Sequence, residues 1–336
     1  MREIDASSGG GQLFRSSLAL AALTQTPVRI SAIRDNRPNP GLKHQHLAAL
    51  DALATVCDAD VEGAALDSRT VTFRPNQPTG GTVEVDVETA GSITLVFETL
   101  VSLATAIEKP LTVTVSGGTD VKWSPPLSTY QQVTLPLYRE NGLAVAVERH
   151  RTGFYPAGGG NATLHLAPSE LSPIHYTERG ALVSAEVYSR ESRSLAESDV
   201  AARQAETAWE RLEAAGVGVT ETVTATAETK SPGSAVSIVL KYEHTRAGFD
   251  AIGERGKPAE DVAGDAVDRA LAFHDGTATV DAHVADQLLL PLALAGGQVR
   301  LPALTDHVET SIALLEQFGY AVAVDQSEDC PVVNIE

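Results

Sequence analysis

The chain has 336 residues, 43% hydrophobic and 21% charged, a globular composition long enough for about two domains and incompatible with disorder over most of its length. No run approaches the ~18 apolar residues that span a bilayer, and Cys57 and Cys330 are too few for a disulfide framework or a four-thiolate zinc site. Forty-four acids against 25 bases give a net charge of −19; this describes either a protein that repels nucleic acid or a solvated acidic surface for a salty cytosol, and the Lys-poor, Asp/Glu-rich texture fits the second.

In chain order, Met1–Asp5 runs into glycines without an apolar signal-peptide core, so the expected location is cytoplasmic. Gly9-Gly10-Gly11 then opens a predicted apolar helix whose first turn holds Gln12 and Arg15. Glycines permit close backbone approach, and the free N–H groups of a helix start receive anions. Residues 13–33 read as helix, turn and strand. From Gln12 to His46 the bases are Arg15, Arg29, Arg34, Arg37 and Lys43, and the only acid is Asp35. A basic island in so acidic a chain points to phosphate, which takes several arginine forks, unless acids elsewhere neutralise it. Within it, Arg34 and Arg37 sit on a loop stiffened by Pro38, Pro40 and Gly41, which leads into a predicted helix bearing Gln45 and His46.

The helix–turn–strand plan recurs over 93–116 and 285–304, and each copy is followed by a second helix and a strand, beginning near residues 41, 127 and 307. The order implies two-layer α/β units, three of which bury each other's layers when stacked. The first helices begin 80 and 192 residues apart, so the second interval carries 112 residues in excess. That excess accommodates a small α/β domain with strands at 181–188 and 234–243 and helices at 195–215 and 259–273. The expected domains are 1–177 with 275–336, and the insert 178–274. Between the repeats, the run from Gly117 through Thr119, Asp120, Lys122 and Trp123 to Pro125 and Pro126 ends a strand in small and rigid residues suited to a flat ligand, and Gly153 to Gly160 makes a glycine-rich turn. His283, with Asp286 one turn away, and His307 open the two helices of the third unit, at the edge where open α/β folds collect ligands.

These residues resemble the RNA 3′-terminal phosphate cyclase family. The blocks that match are Gly9 to Leu18, Ile33 to Leu47, Ala90 to Val96, Ser116 to Asp120, Gly153 to Gly160, Ala285 to Leu288 and His307 to Ile312. They run in family order over nearly the whole chain. The resemblance implies three βαβαββ-type repeats with a small α/β domain inserted in the third, in an archaeal, salt-adapted member. It implies an ATP-dependent ligase: His307 accepts AMP from ATP, AMP passes to an RNA 3′-phosphate, and the neighbouring 2′-hydroxyl closes a 2′,3′-cyclic phosphate. By the same resemblance Arg15, Arg34 and Arg37 supply catalytic cations, and Pro125, His283, Asp286, Gln287 and Glu98 bind ATP. Arg34, Arg37, Gln45 and His46 then hold the RNA phosphate, and Mg²⁺ or Mn²⁺ is held by Asp286 with help from Asp5. The chain departs from the family at Ser8, where a metal-engaging Glu is usual, at Glu98, where a Gln is often found and a carboxylate adds negative charge beside the triphosphate, and at Thr152, usually Arg or His. The expected partners are ATP and RNA 3′-phosphate ends, with no membrane and no protein partner evident. Two other readings share the repeat architecture: a noncatalytic ribosome-assembly relative, which lacks the nucleophilic His, and an enolpyruvyl transferase, which leaves His307 and the Arg34–Arg37 loop unexplained.

Overall fold

The computed structural model describes all 336 residues, and it is a mixed α/β protein built on four four-stranded sheets. Three of these share one pairing scheme, in which a first strand runs parallel to a second, a fourth lies antiparallel to the second, and the third closes the edge against the fourth. The first sheet uses Arg2–Asp5, Val28–Ser31, Asp60–Glu62 and Val71–Arg74. The next uses Gly81–Asp86, Leu111–Gly117, Val145–Arg151 and Gly160–Leu166. The last uses Ile174–Tyr176, Gly297–Arg300, Val322–Asp325 and Val332–Ile335.

Each sheet buries one face. In Leu111–Gly117 the residues Leu111, Val113 and Val115 point inward, and Thr114 on the other face meets Thr163 at 2.8 Å, the period of two that a half-buried strand requires. The helices fill the centre. Gly10–Thr24 is apolar on nearly every side, packs against Ile93–Leu100 and Asp306–Phe318, and ends at Gln25 in the left-handed conformation. One cluster of 61 buried apolar residues runs through all three sheets and their helices.

The fourth sheet lies between positions 182 and 252 and orders its strands Val219–Ala227, Leu182–Ser192, Ser234–Tyr242, Arg246–Ile252. Helices Val200–Ala214 and Ala259–Asp275 cover one face and share with it a second core of 19 buried residues. Ser234–Tyr242 is buried on both faces, because Ser237 accepts a hydrogen bond from Thr129 at 2.9 Å on the side away from the helices. Two strands of this sheet escape the sequence pattern. Val219–Ala227 is a polar, exposed edge, and Arg246–Ile252 has glycine and charge where an apolar run is expected. The helix expected over 195–215 is broken by Asp199, at φ 48°, into a 3-10 turn and Val200–Ala214. Tyr130–Thr134 is a π-helical segment inside the second helix of the second sheet's unit. No helix is long and apolar enough to cross a membrane.

Candidate active site

A cleft of about 750 Å³ opens where helices of different sheets point their N-termini at one another. Gly10–Thr24 contributes Gly11, Gln12 and Arg15, His44–Val56 contributes its first turn, Ile93–Leu100 begins at the wall residue Ser92, and Asp306–Phe318 contributes His307. Four helix starts of eight residues or more therefore face one volume. Three of them have a backbone N–H already taken by a side chain, and only the start of Gly10–Thr24 leaves its N–H groups free for an anion.

At the first of these starts the cradle is built by glycine. Gly9 caps the helix without a side-chain hydrogen bond, no acid occupies the first turn, and Gly10 has φ +61°. A Cβ on Gly11 would lie 2.1 Å from Nε2 of His46 and 3.2 Å from Nη1 of Arg15, and one on Gly10 would lie 3.2 Å from Nη2 of Arg37. Three side chains thus converge on two glycines that have nothing to put in their way. Neither Arg15 nor Arg37 makes a side-chain hydrogen bond or an ion pair. Burial lowers Arg15 to about 10, against the opposing pull of Asp286 and Glu98, which leaves it a cation at neutral pH. Burial, and then Arg15, Arg34 and Lys43, hold His46 well below the usual imidazole range. Its Nδ1 accepts the Lys43 backbone N–H at 3.0 Å, so the neutral ring carries its proton on Nε2, the nitrogen beside Gly11. It is a donor to an anion there.

The rest of the basic island divides differently from its expected uniform role. Lys43 is tied to Asp67 and to the Pro40 carbonyl, and Arg29 lies 3.8 Å from Glu3. Arg34, at φ +59°, spends Nη1 on the carbonyls of Asn39 at 3.0 Å and Gly41 at 2.8 Å. It lines the cleft while clamping its own loop. Arg15 and Arg37 are the free charges.

Across the cleft, His307 is exposed in the first turn of a helix capped by Thr305, whose hydroxyl accepts from the Val308 N–H at 3.3 Å. Gly9 packs this helix against the glycine turn, since a Cβ there would meet Thr310 at 2.7 Å. Asp286 accepts from the Gln12 amide, which also reaches Ser311 at 3.1 Å. Burial raises Asp286, and Gln12, His307 and Arg15 oppose that rise. Asp281 caps the turn that carries His283, accepting from its N–H at 2.8 Å and, through the other oxygen, from Gly248 of the fourth sheet at 2.9 Å. Pro125 is buried in the wall, and its carbonyl is held by Thr94 at 3.0 Å. Gln45 accepts from Ser92 N–H at 3.3 Å, and Gln287 accepts from Thr134 at 3.0 Å; both line the cleft with their carbonyl oxygens engaged.

Two expectations are corrected here. Asp5 lies outside the cleft at the exposed end of the first strand, where Oδ1 accepts from Ser7 N–H at 2.9 Å and is thereby held below the usual carboxylate range. It is absent from the lining of the cleft that holds Asp286, and no three metal-ligating side chains gather anywhere in the chain. Glu98 adds less negative charge than a surface carboxylate would. Burial pushes it up to about 7, although Tyr138 donates to Oε2 at 2.8 Å. Its Oε1 and the Tyr130 hydroxyl are both buried without a partner. A single carboxylate in the cleft, Asp286, fits the mode in which Mg²⁺ is held by one or two carboxylates together with substrate phosphates.

The sequence model of RNA 3′-terminal phosphate cyclase matches residues 6–323. The chain is 44% identical to the RNA 3′-terminal phosphate cyclase of Halobacterium salinarum, over 99% of both chains. It is 39% identical to that of Pyrococcus furiosus, over 92% of this chain and 90% of the relative, and 39% identical to that of Pseudomonas fluorescens, over 94% and 92%. A crystal structure of the enolpyruvyl transferase NikO from Streptomyces tendae covers 99% of the chain at 13% identity and a TM-score of 0.25, with 65% of that protein spanned. An overlap this weak says nothing about fold or function.

Proposed function

The chain belongs to the RNA 3′-terminal phosphate cyclase family, a family of enzymes, and from that premise we propose that it is a cytoplasmic ATP-dependent ligase that converts an RNA 3′-phosphate into a 2′,3′-cyclic phosphodiester through a histidine–AMP intermediate. One observation carries the reading: two unpaired arginines and a neutral imidazole donor converge on a glycine helix start in the same cleft as the exposed His307.

The chemistry follows from those groups. A neutral imidazole nitrogen of His307 attacks the α-phosphorus of ATP, the bond from that phosphorus to the bridging oxygen breaks, and pyrophosphate leaves. Arg15, Arg37 and the N–H groups at Gly10–Gly11 stabilise the charge that gathers on the phosphate oxygens. An oxygen of the RNA 3′-phosphate then displaces the imidazole from AMP. The 2′-hydroxyl attacks the 3′-phosphorus, AMP departs, and the hydroxyl proton goes to solvent or to a cleft base. Asp286, together with the nucleotide phosphates, would hold Mg²⁺ or Mn²⁺, and the ion would supply neutralisation of phosphate charge. Gln12 orients Asp286, and Pro125 and His283 flank the adenine. Arg34 keeps the loop of Arg37 in place, and Gln45 and His46 face the RNA phosphate. The four sheets support the finer architectural reading: three βαβαββ units with residues 178–274 inserted between Ile174–Tyr176 and the first helix of the third unit.

The direct test is to incubate the protein with ATP, Mg²⁺ and a 3′-phosphorylated oligoribonucleotide. The reading requires phosphatase-resistant ends, one AMP released per end, and no reaction on a 2′-deoxy terminus. Ends that stay phosphatase-sensitive at every metal concentration would refute it.

A further inference from the structure

The most exposed large apolar side chains of the molecule are Met1, Tyr155 and Trp123, and Trp123, at 93%, exceeds the others. An indole normally buries most of its surface. Here it lines the mouth of the cleft. Nothing about its loop is slack. Trp123 has φ +63°, a left-handed conformation unfavourable to a bulky residue. The surrounding segment enforces it: Asp120 is buried and bonded to Arg149 at 2.7 Å, Ser124 reaches the Val121 carbonyl at 3.3 Å, Pro125 is held by Thr94, and Lys122 pairs with Glu254 at 2.9 Å. A rigid loop holds a flat hydrophobic ring out into water at the entrance to a phosphate site.

Tyr155, 73% exposed, sits on the adjoining loop. That loop is joined to the first through Thr119 and Asp120, whose N–H groups both donate to the Gly153 carbonyl, and through the bridge between Asp120 and the buried Phe154. Arg151 fixes this loop by donating to Gly159, over which the exposed Lys230 lies. Exposed aromatic rings beside Arg151 and Lys230 have the character of sites that bind single-stranded nucleic acid, with π-faces for the bases and cations for the backbone, while Lys122 is already paired with Glu254.

We propose that Trp123, continued by Tyr155, is a stacking platform for the last unpaired bases of the RNA, positioning its 3′-phosphate in the cleft. This rests on the reading that an RNA end enters there. Depth decides between RNA and ATP as the occupant. Pro125, two residues further along the loop, is buried in the wall where a nucleotide base is enclosed, whereas the Trp123 ring faces outward, along the path that only a chain longer than one nucleotide takes. Stacking also lets a protein of net charge −19 recruit RNA without a broad basic surface.

The test uses the full chain with a 3′-phosphorylated single-stranded oligoribonucleotide. Trp123→Ala is expected to raise the KM for RNA roughly five- to hundredfold, the range of single stacking contacts. The rate of AMP-adduct formation with ATP alone should stay unchanged, which also reports an intact fold. Trp123→Phe should restore most of the loss, and Tyr155→Ala should give a smaller increase. The chain has two tryptophans, so Trp209→Phe isolates the signal of Trp123. In that variant the oligonucleotide should quench the emission, and an oligonucleotide with abasic 3′-terminal positions should not. Unchanged RNA KM in Trp123→Ala, absence of quenching, or a rise in the KM for ATP in place of RNA would overturn the platform. Quenching by RNA in a protein that never cyclises it would uphold the platform and sink the cyclase reading instead.

Discussion

Helices Gly10–Thr24 and Asp306–Phe318 open into the same cleft and start in opposite ways. The first has no side-chain cap and no acid in its first turn, and arginines stand over it. The second is capped by Thr305 and carries Asp306 and Glu309. A bare helix start offers its N–H groups to a ligand, while at the capped one Thr305 already accepts from Val308 N–H and the acids Asp306 and Glu309 disfavour an anion. One backbone device therefore serves two purposes. Under the proposed function the glycine end receives phosphate, and the capped end carries the His307 imidazole in the same cleft.

The largest expected effects break the receiving end. Gly11→Ala puts a methyl group 2.1 Å from the His46 imidazole, which forces the ring away and should lower kcat/KM for ATP by about a hundredfold or more. Arg15→Ala and Arg37→Ala each remove charge-assisted bonds of about 1.5–3 kcal/mol, or roughly ten- to hundredfold in the same constant. Arg193→Ala, which breaks an exposed pair with Glu228 at 3.0 Å, should change nothing measurable. Comparable losses from Arg15 and Arg193 would remove the distinction between free and paired cations.

Glu98 gives a pH signature. Its carboxyl is raised from 4.5 to about 7 in the folded protein, so between those values the native state binds a proton that the unfolded state has released. Its contribution to stability is complete below about pH 4.5 and is lost as pH rises through 7. Glu98→Gln keeps the shape and removes the titration, and chemical denaturation should show a gain on the order of 1–3 kcal/mol above pH 7 that vanishes near pH 4.5. A gain independent of pH would mean that the carboxyl is already ionised throughout.

The holding end yields a smaller change. Thr305→Ala should cost about 1 kcal/mol of stability, recovered by Thr305→Ser, while the KM for ATP stays within twofold. A KM shift as large as that of Arg37→Ala would mean that both helix starts bind the nucleotide. The mildest effect concerns the surface. At −19 the protein repels RNA at low salt, so the cyclisation rate should rise with KCl before any fall. A monotonic decline, with the protein still folded, would argue against a salt-adapted surface.

The cleft-lining residues that carry the site were legible in the sequence because each belongs to a compact local pattern. These are the glycine run before an apolar helix, the Arg34–Arg37 loop stiffened by prolines, and a histidine at a helix start. What was illegible depends on partners far along the chain. Lys43 reads as part of the cationic site until Asp67, 24 positions on, neutralises it. Glu98 reads as a full negative charge until burial pushes its carboxyl up to about 7. Asp5 is near the glycines in sequence, yet it turns to its own Ser7. Val219–Ala227 lies at a sheet edge with every threonine exposed, and its other face is interrupted by Glu221 and buries none of its residues, so no apolar stripe announces a strand. Nor does any pattern distinguish Trp123 from a core tryptophan, since its exposure comes from a strained loop fixed by Asp120, Arg149 and Thr94.

His307 is proposed as the nucleophile beside an anion-receiving helix start. The most direct measurement is the intact mass of the protein after incubation with ATP and Mg²⁺ or Mn²⁺, without RNA. The account predicts a gain equal to one AMP residue in the native chain, reversed by adding 3′-phosphorylated RNA, and absent from a folded His307→Ala variant. An adduct that persists in His307→Ala and disappears in His283→Ala would contradict it and move the chemistry to the other histidine of the cleft.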